Sequence, residues 1–220
     1  MAGRKQKTRP HAGRLRIVAG NWRSRLLDIA DVEGLRPTAE RIRETLFNWL
    51  APHIHGARCL DLFAGTGALG LEALSRGARS VVFVERSTVA AKQLRKNIEI
   101  LVGTGSVGGA LAPNEFAAEA APTGPPTVAR VIQGDALEYL RRPAEDAFDI
   151  VFLDPPFADD RLTETCRLLA QGNLLAAGAH VYLEMERSQQ EPLLPNGWQV
   201  EKNKTAGNVR YTLVRTQGNV

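Results

Sequence analysis

Residues 60–70 read LDLFAGTGALG. A short apolar run carries Asp61, then Gly65, Gly67 and Gly70 follow at G-x-G-x-x-G spacing, and an apolar helix-like run continues to Gly77. That order is a strand entering a tight turn and opening a helix, with glycines where the backbone must come close to a ligand.

Outward from this turn the same order repeats. ARCLDL (57–62) reads as a strand, ALGLEALSRG (68–77) as a helix, and SVVFVE (80–85) as a strand ending at Glu85. Residues 87–101 place Val89, Leu94, Ile98 and Leu101 at helical spacing, VARVIQ (128–133) is a third strand, and DALEYLRR (135–142) a short helix. FDIVFLD (148–154), LTETCRLLAQ (162–171) and AHVYLEME (179–186) continue as strand, helix and strand, and WQVEKNKTAGNVRYTLVRT (198–216) alternates like an antiparallel pair. Strands alternating with helices predict an α/β fold: a doubly wound, mostly parallel, seven-stranded Rossmann-like sheet with an antiparallel edge region. Residues 102–127 are rich in Gly, Ala and Pro without a sustained period, so an exposed insertion is expected there.

Ahead of the first parallel strand, residues 14–30 read as a small hairpin turning at Gly20-Asn21. GLRPTAERIRETLFNWLAP (34–52) then predicts a helix with Thr38 as its cap and Ile42, Leu46, Trp49 and Leu50 on one face. The expected division is a basic flexible arm over 1–13, a β-hairpin extension over 14–34, and one domain over 35–220.

Charge is unevenly spread. Of a formal net charge of +4, residues 1–25 contribute eight basic side chains and no acid, which leaves the rest of the chain net negative. A basic arm on a mildly acidic body suggests a polyanion, and nucleic acid above all. Arg14, Arg16, Arg23 and Arg25 are the candidates for phosphate contacts; a merely salt-bridged surface hairpin is the plainer alternative. No apolar run approaches the length of a membrane span, and the N-terminus has no secretory core. Cys59 and Cys166 read as reduced packing residues, which fits the cytoplasm. His11, His53, His55 and His180 are scattered without a ligand cluster, so no metal is expected.

Two cofactors fit the glycine turn. A dinucleotide would put its pyrophosphate at the helix start, where N–H groups and the helix dipole favour anions. Asp61 beside that site is unwelcome to a phosphate. S-adenosylmethionine carries a sulfonium and an ammonium and no phosphate, and Asp61 suits it. Glu85 can then accept from ribose hydroxyls, and Asp135 from the adenine amine. Acids at the strand ends and no loop lysine favour the cation-bearing cofactor.

DIVFLDPPFADD (149–160) supplies the second half of the site. Asp154 ends a strand that belongs beside the first one, at the switch point where open α/β sheets gather ligands. Pro155 and Pro156 have fixed φ and no N–H. Asp154 and the Pro155 carbonyl can therefore hold a planar exocyclic amine, and Phe157 can stack on its ring, worth about 1–3 kcal/mol. Such an amine needs orientation toward the methyl and acceptors that strengthen as nitrogen becomes cationic.

With both motifs placed, the chain resembles the bacterial 16S ribosomal RNA guanine-N2 methyltransferase family. The resemblance extends to RIVAGNWRSRLL (16–27) and GLRPTAERIRETLFNWLAP (34–52), and covers roughly residues 14–101 and 128–215. It implies a class I methyltransferase fold with an RNA-gripping hairpin and methyl transfer from S-adenosylmethionine to the N2 amine of one guanine. It implies that Asp154, Pro155, Pro156 and Phe157 form the target-base site. It also implies that Asp61, Phe63, Gly65, Gly67, Glu85, Arg86, Asp135 and Ala136 line the cofactor, with Arg36 and Thr38 near its methionine end. The expected partner is 16S rRNA or a small-subunit particle, and the expected state a monomer. The target base must be unpaired or flipped out. The competing readings are an amino-methyltransferase acting on adenine or a glutamine side chain, a nicotinamide-dependent oxidoreductase, and a catalytically silent RNA-binding assembly factor.

Overall fold

A computed structural model describes residues 13–102, 115–118, 127–143, 147–156 and 161–217. The basic arm before Gly13, most of the insertion, and Phe157 lie outside the described residues.

Strands β1 (Arg14–Arg16) and β2 (Leu26–Asp28) form the predicted hairpin, antiparallel with Leu15 opposite Leu27. Alternation buries Leu15, Ile17, Leu27 and Ile29 and turns Arg14, Arg16 and Asp28 outward. Helix α1 (Glu40–Trp49) follows, burying Ile42, Arg43, Leu46 and Phe47. Its N-cap is Ala39 without a side-chain bond, so Thr38 does not cap it as the sequence suggests.

The repeating part runs β3 (Arg58–Asp61), α2 (Ala68–Ser75), β4 (Ser80–Glu85), α3 (Thr88–Val102), β5 (Glu115–Ala118) and β6 (Thr127–Gln133). It continues with α4 (Ala136–Leu140), β7 (Phe148–Leu153), α5 (Leu162–Gln171), β8 (Leu175–Glu186), β9 (Gln199–Ala206) and β10 (Val209–Arg215). The strands form one sheet in the order β5-β6-β4-β3-β7-β8-β10-β9. Strands β3, β4, β6, β7 and β8 are parallel, and the closing β9–β10 pair is antiparallel, as expected. The expected seven strands gain an eighth, β5, which the insertion adds antiparallel to β6 at the far edge. A four-residue edge strand inside a Gly- and Ala-rich stretch carries too little period to be seen in the sequence.

Each face of the sheet has its own apolar cluster. One joins Cys59, Phe83, Ile150, Phe152 and Tyr182 to α1, α2, α3 and the hairpin residues Leu15 and Ile17. The other joins Leu60, Val151, Leu153 and Val181 to α4 and α5. Both cysteines are buried and free, and burial pushes their thiols up, that of Cys166 to about 12. Among the described residues, no helix is long and apolar enough to cross a membrane.

Candidate active site

The sheet reverses its winding between β3 and β7, where Asp61 pairs with Phe152 on one side and with Phe83 on the other. Two residues beyond that level stand Asp154 after β7 and Glu85 at the end of β4. The Leu62 N–H bonds the Phe152 carbonyl at 3.2 Å and the Ala64 N–H the Val84 carbonyl at 3.0 Å, so the chain after β3 runs between these two strand ends. Asp61, Glu85 and Asp154 thus converge on the glycine turn.

The turn is built by its carboxylates. Glu85 accepts from the Gly65 N–H at 2.7 Å and from the Ser87 N–H at 2.6 Å. Asp61 accepts from the Gly70 N–H at 2.9 Å. Gly67, at φ +78°, enters α2 left-handed, and a Cβ there would meet Leu94 and Leu71. At Gly70 a Cβ would run into the ring of Phe83. The N-terminus of α2 is therefore already capped by a carboxylate. That arrangement leaves poor provision for a pyrophosphate, which would need those same N–H groups.

Asp61 is buried, and burial lifts its carboxyl to about 7 against the opposing bond from Gly70. The charges that act on it, those of Asp154 and Glu85, are both negative and raise it further. A cation arriving beside such a buried acid with acidic neighbours favours its ionised form. The donor set therefore fits S-adenosylmethionine, whose sulfonium and ammonium supply positive charge.

Asp154 is half-buried, Pro155 buried and Pro156 exposed. Burial lifts Asp154 to about 6, while a bond from the Thr38 hydroxyl, 3.1 Å to Oδ2, pulls the other way. Asp154 is thus largely ionised at neutral pH and aimed by a fixed donor. Thr38, placed by resemblance near the cofactor, touches Asp154, and Arg36 beside it is exposed.

Asp135 caps α4, accepting from the Leu137 and Glu138 N–H groups, and its Oδ2 takes a bond from Arg161 at 2.9 Å. Burial works against the anion, but the Arg161 and backbone bonds prevail and hold Asp135 below the usual carboxylate range. Ala136 is buried at the start of α4, Phe63 is half-buried, and Arg86 is exposed.

On the hairpin, Arg23 and Arg25 are exposed. Arg14 and Arg16 face Asp28 and Glu40 at 3.7 Å each, in ion pairs so exposed that they contribute little. All four side chains can meet a phosphate backbone. Among the described residues, no group of three or more His, Cys, Asp or Glu side chains could hold a metal ion.

Several buried groups of this region are not evident in the sequence. Glu184, on β8, faces Tyr211 of β10 and accepts from the Tyr182 hydroxyl at 2.7 Å; burial lifts it to about 8, and the Asp154 charge adds to this. Its signal is the alternation His180, Tyr182, Glu184, Glu186 on one face of the strand, opposite Val181, Leu183 and Met185. Arg43 and Glu72 form an ion pair at 3.1 Å, both shielded from solvent. Their signal is a lone acid inside the apolar run LGLEALS.

Comparison with known proteins agrees with this architecture. Residues 15–215 match the family model described as conserved hypothetical protein 95. The ribosomal RNA small subunit methyltransferase D of Haemophilus influenzae is 41% identical over 203 residues, covering 91% of this chain and 93% of that protein. The protein of the same name from Escherichia coli strain K12 is 40% identical over 206 residues, covering 94% and 92%. The solved structure of yhhF from Escherichia coli superposes with a TM-score of 0.78 at 38% identity, covering 94% of this chain and all of that one. Matched over residues 15–215, the chain belongs to the conserved hypothetical protein 95 family.

Proposed function

We propose that this protein methylates small-subunit ribosomal RNA, transferring the methyl of S-adenosylmethionine to the exocyclic N2 amine of a guanine. The observation that carries this reading is the position of Asp154. A half-buried, Thr38-held carboxylate stands at the switch point beside Asp61 and the glycine turn, and two prolines follow it. The names of the relatives in Haemophilus influenzae and Escherichia coli support the RNA substrate.

When bound, S-adenosylmethionine supplies an electrophilic methyl on a sulfonium. Asp61 and Glu85 hold the cationic and hydroxyl ends of that cofactor, at the turn whose backbone they already organise. Asp154 accepts one amine N–H, and the Pro155 carbonyl is the acceptor for the other. The lone pair of an aromatic amine is delocalised, so orientation is the chief requirement. The carboxylate bond strengthens as the nitrogen gains positive charge, which is help given to the transition state. Asp154 then takes the proton that the alkylated amine releases. Phe157 stacks on the base, and Arg14, Arg16, Arg23 and Arg25 hold the flanking phosphates.

The test is nucleoside mass mapping of 16S rRNA from a strain lacking the gene, with purified protein added back to stripped RNA and to assembled small subunits. Loss of one N2-methylguanine, restored by the protein with S-adenosylmethionine, is expected. An unchanged map, or a missing methyl on adenine, would overturn the assignment.

A further inference from the structure

Besides its apolar face, the hairpin is fastened to the body by hydrogen bonds that centre on one buried ion pair. Arg43, on α1, spends its three guanidinium nitrogens on three segments. Nη1 donates to Glu72 on α2 at 3.1 Å, Nη2 to the Arg16 carbonyl on the hairpin at 2.8 Å, and Nε to the Thr38 carbonyl at 3.1 Å. Glu72 is equally committed, accepting from Arg76 and from the Val18 and Ala19 N–H groups just past β1. Ser75, one turn along α2, accepts from the Trp22 N–H and donates to the Ala19 carbonyl.

A pair shielded this completely is a poor source of stability, because desolvating both charges offsets most of their attraction. What a planar, rigid fork supplies is geometry: three nitrogens fixed toward three separate acceptors, where a lysine has its three donors on one nitrogen. One of those acceptors is the backbone of Thr38, the residue whose hydroxyl holds Asp154. Three hydrogen bonds through two residues, Arg43 and Thr38, therefore join the hairpin to the Asp154 carboxylate.

We infer that Arg43, locked by Glu72, is a positioning residue that sets Asp154 through Thr38 and fixes its offset from the RNA-binding hairpin. The inference rests on the methyl-transfer reading above for its consequence in turnover, while the structural coupling is independent of it.

Asp154 is faced by Thr38 ahead of α1, by Asp61 at the end of β3, and by Tyr182 and Glu184 on β8. Of these, Thr38 donates the hydrogen bond that favours its charged form. Losing that donor must raise the Asp154 midpoint, and loosening Thr38 by removing the Arg43 fork must shift it the same way.

The experiment is a carbon-13 NMR titration of the assigned Asp154 carboxyl in the full chain without ligand. It is paired with methyl-transfer kinetics per folded molecule. Arg43→Lys and Thr38→Val are expected to raise the Asp154 midpoint by about half a pH unit or more. Both should cut turnover about tenfold with the affinity for S-adenosylmethionine unchanged, and Thr38→Ser should restore both values. The double variant should be no worse than Thr38→Val alone. An Arg43→Lys protein that melts earlier but keeps the wild-type midpoint and turnover would show Arg43 to be structural only. If that variant does not fold, the wild-type chain decides: the Arg43 Nε–H resonance should follow the Asp154 titration, and a flat signal overturns the coupling. A wild-type chain that transfers no methyl would overturn the proposed function and leave the titration result standing.

Discussion

The Tyr182 hydroxyl donates to Glu184 Oε2 at 2.7 Å, one strand over from Asp154. Burial keeps Glu184 protonated up to about pH 8, whereas the unfolded chain loses that proton near the ordinary glutamate value. The folded state then holds the extra proton, so this residue costs more stability as pH rises between those two values. Glu184→Gln removes the ionisation and still accepts from Tyr182. The variant should gain on the wild type from about pH 5 to about pH 9, by at most about 1.4 kcal/mol for each pH unit crossed between the two midpoints. Thermal melting across that range reads the difference, and a gap independent of pH would mean Glu184 is not held neutral.

Asp61 predicts a pH dependence of cofactor binding. Its carboxyl is lifted to about 7 in the ligand-free chain, and a cationic ligand favours the ionised form. Affinity for S-adenosylmethionine should therefore rise with pH across neutrality, with a proton released on binding at about pH 6. Asp61→Asn keeps an acceptor for the Gly70 N–H, but should weaken binding about tenfold or more and flatten the dependence. Calorimetry in buffers of different ionisation enthalpy measures both.

Asp154→Ala should lower turnover about 100- to 1,000-fold while the cofactor dissociation constant moves less than about threefold. In the wild type saturated with S-adenosylmethionine, kcat/KM for RNA should fall on the acid side with an apparent midpoint near the Asp154 value of about 6. Equal losses in turnover and cofactor affinity would contradict the assigned role.

Arg23 and Arg25 are exposed in and beside the hairpin turn. Replacing both with alanine should weaken binding to small-subunit RNA and reduce the slope of log affinity against log salt by about one per side chain. Filter binding over a salt series checks this, and an unchanged slope removes them from the interface.

Gly20, at φ +83°, lies against α2, and an added Cβ would run into the Ser75 carbonyl. Gly20→Ala should destabilise the chain by about 2 kcal/mol or more and loosen the hairpin first. Hydrogen exchange should show the Asn21 amide, which bonds the Ser75 carbonyl at 2.7 Å, losing protection ahead of the sheet.

Much of this is legible in the sequence because it is local. The strand–glycine–helix order around Asp61 and the strand that ends at Asp154 are written in contiguous residues, so their period and punctuation place them. Once strand order is known, Asp61, Glu85 and Asp154 converge without further information. Groups that meet only in three dimensions cannot be read that way. Thr38 resembles a cap because Ser, Thr and Asp favour that position, yet its hydroxyl has a partner 116 residues away. Arg43 and Glu72 are charged residues in helical runs, where exposure is the ordinary expectation, and both are buried where α1, α2 and the hairpin meet. Asp135 reads as a free acceptor because the sequence does not reveal Arg161 opposite it.

The two prolines after Asp154 carry one more consequence. Prolyl residues show the surroundings oxygen and never hydrogen, and the carboxylate before them accepts too. Asp154 and the two prolines thus offer acceptors only. A heterocycle presenting an NH2 edge finds complementary partners there, whereas a keto edge meets repulsion between lone pairs. Under the proposed function, discrimination among bases begins with these acceptors, one carboxylate on a side chain and two carbonyls on the backbone.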